Sequence, residues 1–130
     1  MAIEVYLHID GIKGAATDER HRDWIECTSV DWIGAEAKSA ACQHTHIVFS
    51  KLADSSSPIL LQTCCAGSTI PKAKFEFMRA DGHGARVKYL EIEIENVLVG
   101  AVSPMPGDGD NMSEQVGFRF SKVKWRYAQQ

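Results

Sequence analysis

Apolar residues fall on every second position through most of this chain, the period of a strand with one buried face. Ile3, Val5, Leu7 and Ile9 alternate with polar neighbours and predict a first strand with one wet face. A polar, glycine-containing connection follows from Asp10 to Glu19. Trp24 to Trp32 predicts a second strand. Both of its parities carry apolar residues, so it is either central or covered on its outer face by another chain. Its odd positions turn polar at Ser29 and Asp31. Gly34 to Gln43 fits neither period; its small residues with Glu36 and Lys38 allow a helical turn as well as a loop. Thr45 to Ser50 reads as strand. Ser57-Pro58 then opens a short helix over about 58–66, with the serine placed to cap the first amides and proline suited to the first helical position. Gly67 is its stop.

From Lys72 the period returns to two, with Ala73, Phe75 and Phe77 set against Lys74 and Glu76. Asp81-Gly82-His83-Gly84 is turn chemistry. The return strand places Leu90, Ile92 and Ile94 against Glu91, Glu93 and Glu95, and after Asn96 the apolar positions move to Val97, Val99 and Ala101, the opposite parity. Such a slip would turn the core face outward, so a bulge or a barrel corner is expected there. After a Pro- and Gly-rich loop from Pro104 to Met112, the last segment repeats the device, with Val116, Phe118 and Phe120 followed by Val123, Trp125 and Tyr127. Two long strands that each swap faces predict a mainly β fold, a two-sheet barrel or sandwich of bent antiparallel strands with one short helix.

Composition narrows this picture. One domain over residues 1–130 is long enough to bury roughly two-thirds of its unfolded surface. A net charge of −3 and a pI near 5.9 give no long-range field for a phosphate backbone, which argues against nucleic acid. No apolar run approaches the roughly 20 residues of a membrane helix. The alternating N-terminus reads as a strand and not as a signal peptide, so synthesis and folding in the cytoplasm are expected. Cys27, Cys42, Cys64 and Cys65 fit that compartment as free thiols packing as small hydrophobes.

Candidate chemistry adds little. Cys42, His44 and His46 stand at i, i+2 and i+4, which on a strand would place all three on one face as a zinc or copper trio. A fourth ligand is missing nearby, and a solvated face is the preferred reading. Asp108, Asp110 and Asn111 lack the residue order of a calcium loop. No nucleophile elbow is present, and Glu91, Glu93 and Glu95 read as a solvated strand face, so no catalytic residue, metal or cofactor is assigned. Trp24, Trp32, Trp125 and Tyr127 can stack a ligand in a barrel mouth, or serve core and subunit contacts.

SSSPILL with its following glycine, the KAKFEF strand, YLEIEIENVLV and the closing EQVGFRFSKVKWRY together resemble the Hcp family, the haemolysin-coregulated tube proteins of type VI secretion. The opening MAIEVYLHIDGIKGAATDERHRDWIEC resembles that family's first strand, turn and second strand, so the likeness runs from Ile3 to Tyr127. The resemblance implies a non-enzymatic structural subunit, exported without a signal peptide. It would form hexameric rings that stack into a tube inside a contractile sheath, under a valine-glycine-repeat spike, with small effector proteins in the lumen. It also implies that Ser29 and Asp31 line the lumen. Gly34 to Gln43 is then a protruding loop, with Ala35, Lys38 and Gln43 reaching the next ring. This loop looks shorter than usual, and a glycine-tryptophan tail common in the family is missing. Two rivals are a tail-tube subunit of another phage-like contractile machine and a monomeric β-barrel ligand-binding module.

Overall fold

The computed structural model describes residues 3–33, 37–38, 41–42, 46–80, 82–106 and 112–127. Among the described residues, nine strands and one helix run in the order β1 (Glu4–Ile9), β2 (Ile25–Ile33), β3 (Ala37–Lys38), β4 (Ala41–Cys42), β5 (His46–Leu52), α1 (Ser57–Ala66), β6 (Thr69–Ala80), β7 (Arg86–Pro106), β8 (Met112–Arg119) and β9 (Lys122–Tyr127). Six of them close a barrel, β6-β1-β2-β5-β8-β7 and back to β6, with every described pairing antiparallel. Closure removes the sheet edges that an open sandwich would have kept. β9 stands outside the ring, hydrogen-bonded to β7.

The alternating positions fill the barrel. Leu7, Ile25, Ile47, Phe49, Phe75, Ile94, Val97, Val116 and Phe118 are wholly buried. Phe49 meets Phe75 and Phe118 edge-on, with ring centroids 5.7 and 5.0 Å apart. The interior is therefore a packed core.

The last segment, expected as one long strand that swaps faces, is instead two strands, β8 ending at Arg119 and β9 starting at Lys122, paired with different stretches of β7. Two other irregularities of the pattern have a local cause. In β2, Ile25 and Cys27 face the core, and a bulge between Cys27 and Ser29 then turns Val30 inward and Ser29 and Asp31 outward. The strand is central, flanked by β1 and β5, and the bulge accounts for its two apolar parities. In β7 the slip comes at Asn96, which adopts φ 55°. Before it β7 pairs with β9 over Leu90–Glu95, and after it with β8 from Leu98 onward, while its other edge follows β6 from Arg86 to Leu98. The corner is pinned, as Asn96 Nδ2 donates to Ser121 Oγ (2.8 Å) and the Ser121 amide donates to the Glu95 carbonyl (3.2 Å). A second irregularity between Val99 and Ala101 brings Val102 against the core.

Helix α1 buries Leu60 and ends at Gly67 in the left-handed region, φ 68°. Its N-cap is Ser56, not Ser57, and no side chain caps it. The Ser57 hydroxyl is engaged elsewhere, accepting from the Asp54 amide at 2.9 Å and donating to Glu114 Oε2 at 2.9 Å. The segment expected as a loop before β5 contains the short antiparallel pair β3–β4, with Ala37 opposite Cys42 and Lys38 opposite Ala41. β7 also continues as strand through Pro106, into the stretch expected as loop. Asp108, Asp110 and Asn111 lie outside the described residues.

Candidate functional site

Surfaces, not a cleft, carry the functional information. The first is β9. Its Val123, Trp125 and Tyr127 sit opposite Ile94, Ile92 and Leu90 of β7, and directly opposed residues share a sheet face. These three side chains therefore extend the core-facing side of β7. Because β7 exchanges β9 for β8 at Asn96, the barrel closes through β8 and leaves β9 outside the ring, with its apolar face partly exposed. Val123, Trp125 and Tyr127 are 39%, 51% and 66% exposed. Only the part of each side chain still exposed remains to be buried, and at about 25 cal/mol per Å² of apolar area that remainder favours a covering surface.

The other face of β9 is matched within the chain. Lys122, Lys124 and Arg126 lie opposite Glu95, Glu93 and Glu91. Glu91 is buried, with Lys88 Nζ at 2.9 Å, Arg126 Nη1 at 3.6 Å and Lys74 Nζ at 4.0 Å. Burial pushes its carboxyl up, but the Lys88 bond and the surrounding cations outweigh burial and hold it below the usual carboxylate range. The glutamate row is thus an ion-pair ladder with a buried member, and not the simply solvated face its alternation suggests.

The second surface lies on β2, directly across the six-stranded ring from β7. Glu26, Thr28, Ser29 and Asp31 are exposed along its outer side. Ser29 and Asp31 lie opposite Ser50 and Val48. At the Glu26 end is a socket of about 310 Å³ lined by Ala15, Ala16, Glu26, Thr28, Leu52 and Asp54. Leu52 is 47% exposed there.

Beneath this socket is a cluster that the sequence pattern does not reveal. Lys51 has no exposed surface, and its Nζ lies 3.0 Å from Asp54 Oδ1, 2.8 Å from Glu114 Oε2 and 3.1 Å from Ser57 Oγ. Burial raises the Asp54 carboxyl, while hydrogen bonds from Ser56 and Lys51 outweigh that and hold it low. A second cluster fastens the connection between β1 and β2 to the barrel's outer wall. His21 is buried, its Nδ1 2.5 Å from Asp18 Oδ2 and its Nε2 2.9 Å from Glu76 Oε1. Its ring stacks on Tyr6 at 4.2 Å and meets Trp24 edge-on at 4.7 Å. Arg86 joins Asp18, Glu4 and Tyr6 across the same patch. A histidine in a polar stretch and a lysine in an alternating strand give no signal of burial; only the folded topology brings their carboxylates to them.

Most of the remaining sequence candidates fall wholly or in part outside the described residues. Cys42 belongs to β4 and His46 opens β5, while His44 lies outside the described residues. Lys38 lies in β3, and Ala35 and Gln43 lie outside the described residues. Trp24 packs on the outer wall with His8, His21 and Lys74, whereas Trp125 and Tyr127 extend the core-facing side of β7, and the Trp32 side chain lies outside the described residues. Cys27, Cys64 and Cys65 are free thiols, and burial pushes the Cys27 thiol far up, leaving it a packing group. No helix among the described residues is long and apolar enough to cross a membrane.

Known proteins share this architecture. Residues 6–127 match the family described as "Type VI secretion system effector, Hcp". The chain is 29% identical to protein hcp1 of Pseudomonas aeruginosa, the alignment covering 100% of this chain and 86% of that protein. The crystal structure of Hcp1 from Salmonella typhimurium superposes with a TM-score of 0.84 at 30% identity, covering 99% of this chain and 88% of that one. A more distant likeness, in fold alone, is to the PVC sheath–tube complex of an extracellular contractile injection system, with a TM-score of 0.63 at 11% identity over 97% and 88% of the two chains. With a family match spanning nearly all of its length and the same barrel, the chain belongs to the Hcp family of secreted structural tube proteins of type VI secretion.

Proposed function

We propose that this chain acts as one tube domain that assembles head-to-tail into hexameric rings. The rings stack into the inner tube, which is exported with the valine-glycine-repeat spike when the contractile sheath fires. The observation that carries this reading is the partly exposed apolar face of β9, attached to a barrel whose own core is already full. A ring closes through a heterologous contact between two different patches of the same subunit, and the apolar face of β9 would supply one of them. The packed interior favours a building block over a ligand-binding barrel, and the family match favours the type VI machine over a phage-like relative.

In this assembly Ser29 and Asp31 line the lumen, where exposed polar side chains suit a passage for small effector proteins. Ala35, Lys38 and Gln43 contact the next ring. The protein resides in the cytoplasm until firing, in keeping with its free thiols, and is then delivered outside the cell. The test is native mass spectrometry of the purified protein beside negative-stain images. A species of six 14.4 kDa subunits with ring views is expected. A monomer across the whole accessible concentration range would overturn the proposal.

A further inference from the structure

We propose that the connection between β1 and β2 is a strap that opens as one unit from a closed barrel, and that His21, bonded at both ring nitrogens, is its latch. The latch lies within one chain and does not depend on ring assembly. The strap spans residues 13–24 and is folded on itself. The Gly14 and Ala16 amides donate to the Asp23 and Trp24 carbonyls at 2.8 and 3.0 Å, and the Asp23 amide returns a bond to the Ala16 carbonyl at 3.1 Å. The pairing of β1 with β2 starts at Leu7 opposite Ile25, beyond the end of the strap. The strap can therefore leave the wall without breaking a rung of the barrel. Beneath it is a small apolar patch apart from the main core, formed by Tyr6 and Met78 under Ala16 with Trp24 packed alongside.

Charge holds the strap down. Asp18 of the strap and Glu76 of β6 reach the two ring nitrogens of His21, at 2.5 and 2.9 Å, and an ionised carboxylate only accepts hydrogen bonds. Both nitrogens therefore donate, and His21 is a buried imidazolium joining strap to wall. Tyr6 of β1, stacked on the ring, stays a neutral phenol, pushed up to about 12 by burial and by its bond to Glu4. Trp24 meets the ring edge-on, with His8 and Lys74 on its far side. Lys74 and Lys88 flank Glu76 at 3.5 and 3.6 Å, but neither reaches the strap. Arg86 of β7 makes the other ionic link, to Asp18 and to Glu4. It is exposed, where such pairs contribute little, whereas His21 is 1% exposed. Loss of the histidine proton would leave one ring nitrogen presenting a lone pair to a carboxylate inside the wall, turning a bond into a repulsion.

Native-state hydrogen exchange of the full chain, followed by NMR, tests the strap. The Gly14, Ala16, His21 and Asp23 amides should exchange together and well ahead of those of Leu7, Phe49 and Phe118 in the barrel. His21→Gln keeps a polar side chain that cannot carry the charge. It should speed exchange of the strap roughly tenfold or more and leave the barrel amides unchanged. Should that variant not fold, Glu76→Gln cuts the same latch from the wall side and carries the same expectation. A second readout separates charge from packing. Corrected for intrinsic exchange, opening of the wild-type strap should grow from about pH 6 to about pH 8, whereas in His21→Gln it should stay level. Strap amides that exchange only with the barrel, variants that speed strap and barrel alike, or a wild-type opening that ignores pH would each overturn the latch. Failure of both variants to fold would overturn it as well, because the contact would then hold the barrel itself.

Discussion

Lys51 carries a charge with no solvent around it, and its stability depends on Asp54, Glu114 and the Ser57 hydroxyl keeping their places. Breaking such a cluster from one side costs more than the cluster contributes, because the remaining carboxylates stay buried without a cation. Lys51→Met should therefore destabilise the fold by about 3–5 kcal/mol, read as a lowered urea midpoint with an unchanged slope. None of this was legible beforehand. In the run His46–Leu52 the pattern marks Lys51 for the same face as Ile47 and Phe49, and residue type alone argues that a lysine there ends the buried stretch. The carboxylates that reverse that argument come from a loop three residues away and from β8, more than sixty positions on. His21 was hidden for the same reason, its partner Glu76 lying 55 residues away.

At the scale of elements the sequence was far more informative. The change of parity at Asn96 in β7 marked the corner, since a period of two leaves no other way to keep Val97 and Val99 in the core. What it did not mark was the exchange of β9 for β8 at that point, which is what leaves Val123, Trp125 and Tyr127 partly exposed. Alternation says which side chains share a face; it is silent on what lies above that face. The Asn96 conformation itself is testable. A β-branched residue at φ 55° meets the left-handed penalty of about 1–2 kcal/mol and forfeits the bond to Ser121. Asn96→Val should lower the urea midpoint accordingly, and Asn96→Gly should recover most of the loss, because glycine accepts that φ freely. Equal effects from both would mean that the hydrogen bond alone matters.

For the molecule as a whole, bent strands pointed to a barrel or a sandwich, and the closure through β6–β7 and β1–β6 decides for the barrel. The outer wall of that barrel is sealed by charge. The Arg86 bond, with help from His21, brings the Asp18 carboxyl down to about 2. A carboxyl held lower in the folded state than its unfolded value near 3.9 stabilises the fold above that value, and the contribution is lost as the pH falls through about 2. Asp54 and Glu91 shift in the same direction. The thermal midpoint should thus hold steady down to about pH 4 and decline below it. Asp18→Asn should lower the midpoint near neutrality and make the acid decline shallower; an unaltered decline would assign the acid sensitivity to the other carboxyls.

Strand β7 also has a mechanical consequence. It is bonded along one edge to β6 and along the other to β9 and then β8, and antiparallel hydrogen bonds run across the strand direction. A load along β7 is therefore borne in shear by many bonds at once, and not peeled apart one bond at a time. In the stacked tube proposed above, a subunit thrust outward would meet force of that kind, and the 21 residues of β7 would act as its tie-rod.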